Sequence, residues 1–192
     1  MLRVGVVILA AGESSRMGVP KQMLEFRGKP LVRHAALTAI EADAKVAVVV
    51  GARAAEVRSA LDGLAVTIVE NLRFAEGMGT SIQAGLAAIE AEIDGVILML
   101  ADQPLVSAGV LKGLVETHEA TGMPIVAAQY SGTVGVPVFF GREFFGELHA
   151  LAPGHGCKGV ILAHPKQSTL VPCPEAEVDV DTPADYQRVC GA

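Results

Sequence analysis

Residues 4–21 read VGVVILAAGESSRMGVPK, and the fold is decided by how this stretch begins and how it ends. Val4 to Leu9 is an unbroken apolar run rich in β-branched residues, the pattern of a strand buried on both faces of a sheet. Ala10, Ala11 and Gly12 then turn the chain, with side chains small enough for a bound group to approach the backbone. Beyond Gly12 the stretch becomes a polar loop with Gly18 inside it and two cations, Arg16 and Lys21. Backbone N–H groups in such a loop, backed by a guanidinium fork and a point-charge ammonium, can surround a polyphosphate. Taken alone, the loop also reads as an ordinary turn with two solvated cations, and its order fits neither G-x-x-x-x-G-K-[ST] nor G-x-G-x-x-G.

Further along the chain, Pro30 stands at a helix start, and Leu31, Ala35, Leu37 and Ile40 come after it at mostly helical spacing. Lys45 to Val50 reads as a second buried strand closed by Gly51, Ala54 to Leu61 as a helix, and Ala65 to Val69 as a third strand. Further strands are expected at Val96 to Leu100, Pro124 to Gln129 and Val138 to Phe140, with a helix from Ser107 to Thr121. Strands alternating with helices at this rhythm indicate βαβ units and a mainly parallel sheet.

Three segments carry polar groups where such a sheet would end. In Asn71 to Leu86, NLRFAEGMGTSIQAGL, a glycine turn leads to Gly79, Thr80 and Ser81 at a helix N-terminus. Free N–H groups there would face the edge where open α/β folds bind ligands, or Thr80 or Ser81 simply caps the helix. Asp102 comes just after the strand Val96 to Leu100, and an acid at that point is hydrated, caps the next helix or binds a cation. Ser107 is the better cap. In Glu177 to Tyr186, EVDVDTPADY, Pro183 suits a first helical turn with Asp181 or Thr182 as its cap. Asp179 and Asp181 are expected to point to opposite sides of this extended segment, leaving one of them for a shared partner.

The 192 residues suit one domain, and the 51% hydrophobic content without tryptophan calls for an aliphatic core. A net charge of −6 argues against a nucleic-acid surface, which draws on clustered lysine and arginine. No apolar run approaches the roughly 20 residues that span a bilayer, and the first residues lack the pattern of an export signal. Cys157, Cys173 and Cys190 are few, widely spaced and odd in number, which fits neither a disulfide framework nor a zinc cluster and suits a reducing cytoplasm. His155 beside Cys157 reads as part of a glycine-rich loop, because no second ligand or base stands at a suitable spacing.

Read in order, L-A-A-G-x-S-x-R-M-G-x-x-K (9–21), G-M-x-x-S (77–81), A-D-Q-P (101–104) and D-V-D-T-P-x-D (179–185) resemble the MobA-like NTP transferases of the nucleotide-diphospho-sugar transferase superfamily. This group includes the molybdenum cofactor cytidylyl- and guanylyltransferases. The resemblance implies a three-layer α/β/α sandwich with a Rossmann-like, mostly parallel sheet, in one nucleotidyltransferase domain over 1–192. Residues up to about 105 would bind nucleotide and 106–192 the acceptor. It places Leu9, Ala10, Ala11, Gly12, Arg16 and Lys21 on the NTP and Gly79, Thr80 and Ser81 on its base side. Asp102 and Asp181 would hold Mg²⁺, with Mn²⁺ as the alternative, and Arg16, Lys21 and Asp102 would carry the catalysis.

A-D-Q-P together with G-M-x-x-S is similar to the cytidylyl branch, which implies CMP transfer from CTP to molybdopterin, a phosphorylated pterin, and a molybdoenzyme that receives the product. Two departures fall on the acceptor side. Val136 replaces the histidine of the branch's G-H-P, and residues 154–159, GHGCKG, stand where it has G-D-x-G-A-R. His155 thus takes the aspartate position, while Lys158 keeps a positive charge near the arginine's place. Guanylyl transfer, a sugar-phosphate acceptor, a nucleotide-binding oxidoreductase and a cofactor chaperone are the rival readings.

Overall fold

Val6, Ile8 and Ala10 project from one face of β1 (Val4–Ala10) and Val7, Leu9 and Ala11 from the other, and all six are buried in two separate apolar clusters. A strand buried on both faces must lie in the middle of a layered fold. In the computed structural model, which describes residues 2–13 and 20–191, β1 pairs in parallel with β4 (Lys45–Val50) on one side and β6 (Gly95–Leu100) on the other. Beyond β4 lies β5 (Thr67–Glu70), also parallel. Beyond β6 lie β8 (Thr133–Gly141), β7 (Ile125–Tyr130) and β9 (Ser168–Pro172), giving the order β5-β4-β1-β6-β8-β7-β9. A small hairpin, β2 (Glu25–Phe26) and β3 (Lys29–Pro30), stands apart.

Helices cover both faces. Against the Val6 side pack α1 (Leu31–Glu41), α2 (Ala54–Ala60) and α4 (Ala108–Thr121), through residues such as Val32, Ala36, Val57 and Leu111. Against the Val7 side pack α3 (Met78–Ile89), α5 (Phe145–His149) and α6 (Lys158–Ala163), through Ile82, Leu86, Leu148 and Val160. The last helix, α7 (Pro183–Cys190), closes a third small cluster in which Val180 and Val189 meet Phe26 and Leu31. This is the three-layer α/β/α sandwich. No helix of the described residues is long and apolar enough to cross a membrane.

The expected strands and helices of the first half are present. The second half departs from expectation in that β8 is nine residues long and runs antiparallel to both β6 and β7. The hairpin it makes with β7 turns through Ser131 (φ 47°) and Gly132 (φ 72°), left-handed positions that match the twist of paired strands. Pro30 belongs to β3 and precedes α1 rather than starting it.

From β1 the chain moves outward through β4 to β5, and then α3 carries it back across to β6 on the other side of β1. The C-terminal ends of β1 and β6 therefore flank a topological switch point, the crevice in which open α/β sheets bind ligands.

Gly85 lets α3 lie close on the sheet, since a Cβ there would stand 2.7 Å from Val49 Cγ2 and closer still to Val7 Cγ1. Both valines are stiff and fully buried. Gly85→Ala should lower stability by about 1–3 kcal/mol through overpacking, despite the helix propensity gained. Gly113→Ala in α4, where nothing lies within 4 Å, should raise it by about 0.5–1 kcal/mol. Urea unfolding of the two variants checks both signs.

Candidate active site

The loop after β1 is held at both ends. Gln22, itself buried, donates from Nε2 to Gly12 O at 2.7 Å and Ala10 O at 3.2 Å, and Ala52 N donates to Ala11 O at 3.2 Å. A 3₁₀ turn at Lys21–Met23 then aims Lys21 back over the end of the sheet. Its Nζ donates to Asp102 at the end of β6 and, at 2.9 Å, to Asp181 Oδ1. The Asp102 backbone accepts from Val180 N at 3.0 Å, and Gln103 Nε2 donates to Ala176 O at 3.0 Å. Three segments remote in sequence thus converge on one ammonium.

The electrostatics follow from burial. Desolvation is the largest influence on Lys21 and opposes its charge, but Asp102 and Asp181 together outweigh it and leave the pKa raised. Asp179 is pushed up to about 6, first by burial and then by the Asp102 carboxylate, with the Gln103 amide opposing both. Among the described residues Asp102 Oδ1 and Asp179 Oδ1 are buried without a hydrogen-bond partner. Thr182 caps α7 in a capping box with Asp185, so the cap falls to Thr182 and Asp181 remains at the cleft.

The expectation that Asp179 and Asp181 point apart is corrected. Both line the same cleft, because residues two apart in an extended segment share a face. Val180 between them is the one that turns inward, fully buried against Phe26 and Leu31. Three carboxylates therefore border the cleft.

The far wall is the start of α3. Asn71 is buried and donates from Nδ2 to Thr80 Oγ1 at 2.9 Å and Ser81 Oγ at 3.0 Å, while its Oδ1 accepts from Arg73 N at 2.9 Å. The single Thr80 hydroxyl proton is shared between the Gly77 and Arg73 carbonyls, at 2.8 and 3.0 Å from Oγ1. Neither Thr80 nor Ser81 is the N-cap of α3, which is Gly77 (φ 125°). Between the walls lies a cleft of about 420 Å³.

Of the residues singled out from sequence, Leu9, Ala11, Gly12, Lys21, Ser81, Asp102 and Asp181 line this cleft. Ala10 packs into the opposite face of the sheet. Gly79 and Thr80 shape the start of α3 instead: Gly79 N donates to Pro153 O at 2.9 Å, and a Cβ on Gly79 would collide with Ala152 O. Lys158 is exposed at the first turn of α6, with Nζ 2.5 Å from Thr133 Oγ1, and does not line the cleft. Arg16 lies outside the described residues. Sequence reasoning set Asp179 aside in favour of Asp181, and it gave no role to Gln22, Asn71 or Gln103, nor to Phe74 and Met78, which give the cleft an apolar flank.

Among the described residues no three His, Cys, Asp or Glu side chains form a ready metal cage. The donor set still suits a hard divalent cation of the Mg²⁺ type, which takes one or two carboxylates and completes its shell with phosphate oxygens and water. Asp102 and Asp181 already converge on a single positive charge, and Asp102 keeps a buried oxygen unpaired. They would hold such an ion.

A carboxylate-and-lysine cleft at the switch point of a mostly parallel sheet defines an open α/β protein of the nucleotidyltransferase type. Residues 6–168 match the MobA-like NTP transferase domain, and the chain belongs to that family. It is similar to Rv0371c of Mycobacterium tuberculosis, at 32% identity and a TM-score of 0.79 over 100% of this chain and 98% of that one. A second structure of that protein, at 30% identity, TM-score 0.76 and 99% coverage of each chain, is a complex with manganese. A nucleotidyl transferase from Methanothermobacter shares the fold, with a TM-score of 0.84 at 23% identity over 98% of this chain and 96% of that one. The bifunctional protein GlmU of Kineococcus radiotolerans is 32% identical over 161 residues, which is 81% of this chain but 31% of GlmU. The chain thus spans about a third of that curated relative.

Two outcomes are expected in metal-free buffer. Lys21→Ala leaves Asp102 buried without its ammonium, so unfolding should show a loss of roughly 1.5–3 kcal/mol. For Asp179 the folded pKa lies above the unfolded one, so the ionised carboxylate costs stability above about pH 6 and costs nothing once both states are protonated. Asp179→Asn should therefore stabilise by about 1–2 kcal/mol near pH 8, with solvent screening allowed for, and the gain should vanish as the pH falls toward about 4. Urea titrations across that range read both effects.

Proposed function

We propose that this chain transfers CMP from CTP to the phosphate of a pterin acceptor, molybdopterin, and releases pyrophosphate. The observation that carries the reading is the Lys21 ammonium joined to Asp102 and Asp181 at the switch-point crevice. It supplies, in one place, a cation for phosphate and paired acids for a divalent ion. Membership of the NTP transferase family and the manganese complex of Rv0371c support it. The choice of CTP and of the pterin rests on the cytidylyl-like pairing of A-D-Q-P with G-M-x-x-S.

In this reading the small residues Ala11 and Gly12 let the triphosphate lie close to the backbone, and Ser81 with the apolar flank of Phe74 and Met78 receives the base. An oxygen of the acceptor phosphate attacks the α-phosphorus, the bond to the β-phosphate breaks, and pyrophosphate leaves. Lys21, with Arg16 of the same loop, offsets charge on the triphosphate and leaving group. Asp102 and Asp181 would hold Mg²⁺ or Mn²⁺, which would supply charge withdrawal from phosphate during the transfer. Such a transfer depends on positioning rather than on a protein nucleophile. Residues up to about 105 then form the nucleotide half and 106–192 the acceptor half of one cytoplasmic enzyme, with Lys158 on the acceptor side and a molybdoenzyme as recipient of the product.

A thermal-shift series of CTP, GTP, ATP and UTP, each with and without Mg²⁺, tests the donor. A ligand at a hundred times its Kd adds about 2.7 kcal/mol to apparent stability, so CTP with Mg²⁺ should give the largest rise. An equal or larger shift with GTP would move the chain to guanylyl transfer. Pyrophosphate release that depends on molybdopterin tests the acceptor, and release with a sugar phosphate in its place would reassign it.

A further inference from the structure

Gln103 is 2% exposed and directly adjoins Asp102. Its Nε2 donates to Ala176 O at 3.0 Å and lies 3.5 Å from Val136 O, while its Oε1 is buried without a partner among the described residues. Three pieces of chain meet at this amide: the end of β6 with Asp102, the strand β8 with Val136, and the 3₁₀ turn Pro174–Glu177 that leads into Asp179 and Asp181. The Val180 N to Asp102 O bond of 3.0 Å is a second tie between the first and last of these. Two struts between the same two segments fix their separation, which one alone would leave free to hinge.

A buried amide that uses its donors and leaves its acceptor unpaired is a poor choice for packing alone, since an apolar side chain of equal volume would avoid the desolvation. Methionine, unbranched and adaptable, would fill the same space without polar atoms. The amide therefore adds something that volume does not.

We infer that Gln103 is the positioning residue of the carboxylate site, setting the distance from Asp102 to Asp179 and Asp181 and tying that distance to β8 in the acceptor half. The inference rests on the reading of Asp102 and Asp181 as a cation site. Gln103 touches neither nucleotide nor ion in this scheme. It acts on Asp102 and Asp181 through the backbone to which they are attached, and on Asp179 directly through the amide that faces its carboxylate, as groups outside a metal's own ligands commonly do.

The test uses Gln103→Met, which keeps the volume and removes the amide. Mn²⁺ binding is read from the electron paramagnetic resonance of the free ion, without nucleotide and without turnover. Mn²⁺ affinity should fall about ten- to a hundredfold, while CTP binding in the absence of metal stays within about twofold of the parent because the phosphate loop is untouched. Unchanged Mn²⁺ affinity with a lowered Tm would make Gln103 a packing residue and overturn the inference. Hydrogen exchange on the unaltered protein decides the matter even where the variant fails to fold. Mn²⁺ should slow exchange together at 101–106, 133–138 and 174–181, and slowing confined to 101–106 would overturn it. Tight Mn²⁺ binding with no response in those segments would sink only this inference. Absence of Mn²⁺ binding by the unaltered protein would remove the cation site and the inference with it.

Discussion

Asp102 and Asp181 belong to segments 79 residues apart, and the cleft exists in its present form because one ammonium holds them together. Two carboxylates at the mouth of a buried sheet repel, and burial strengthens the repulsion. Lys21 offsets it from a third segment, across sequence separations of 81 and 160 residues. That makes the C-terminal segment depend on the N-terminal loop. In the proposed reaction the charge that stabilises the resting cleft is also the charge a triphosphate would need. An incoming nucleotide would compete with the acids for Lys21, and a divalent ion would compete with Lys21 for the acids. Bound together, the two ligands would satisfy the partners that either alone would strip.

The first half of the chain was legible because its burial is symmetric. Val4 to Leu9 and Lys45 to Val50 are continuous apolar runs, and such runs mean central parallel strands whatever surrounds them. The caps were legible in part: Ser107 begins α4 as its spacing dictates, and of Asp181 and Thr182 it is Thr182 that caps α7, whereas α3 is capped by Gly77 and not by Thr80 or Ser81. The second half was harder. β8 is antiparallel, and a hairpin strand of mixed burial carries no signal of direction in its composition. At Asp179 and Asp181 the alternation of an extended chain works against the expectation of opposite sides, for a period of two puts both acids on one face. The missed polar residues Gln22, Asn71 and Gln103 are amides without charge, and their value lies in backbone and hydroxyl partners that only the folded chain brings near.

Those amides have a common role. Gln22 ties the carbonyls of Ala10 and Gly12, Asn71 gathers the hydroxyls of Thr80 and Ser81, and Gln103 reaches Ala176. Each stands at the end of a segment that borders the cleft, and each is at most 5% exposed. Neutral amides donate and accept without adding to a site already crowded with charge. Rigid walls around charged groups are what transfer by positioning requires, since charge stabilisation works best when the dipoles need not reorganise.

The loop at 151–155 is joined to the first half of α3 through its own carbonyls rather than by side-chain charge. Gly79 N meets Pro153 O at 2.9 Å, and Gln83 Nε2 donates to the carbonyls of His149 and Leu151 at 3.0 and 2.8 Å. A Cβ on Gly77 would stand 2.5 Å from Pro153 O, so the loop lies against the very turn that opens α3. The departures at Val136 and His155 fall in this neighbourhood, one beside Gln103 and the other within the loop. Side-chain changes at Val136 and His155 leave these ties in place, because they run through the Gly79 N–H, the Gln83 amide and the carbonyls of the loop. In the proposed reaction such a scaffold would keep one mechanism while its second substrate changed, since a shared fold does not by itself dictate the substrate.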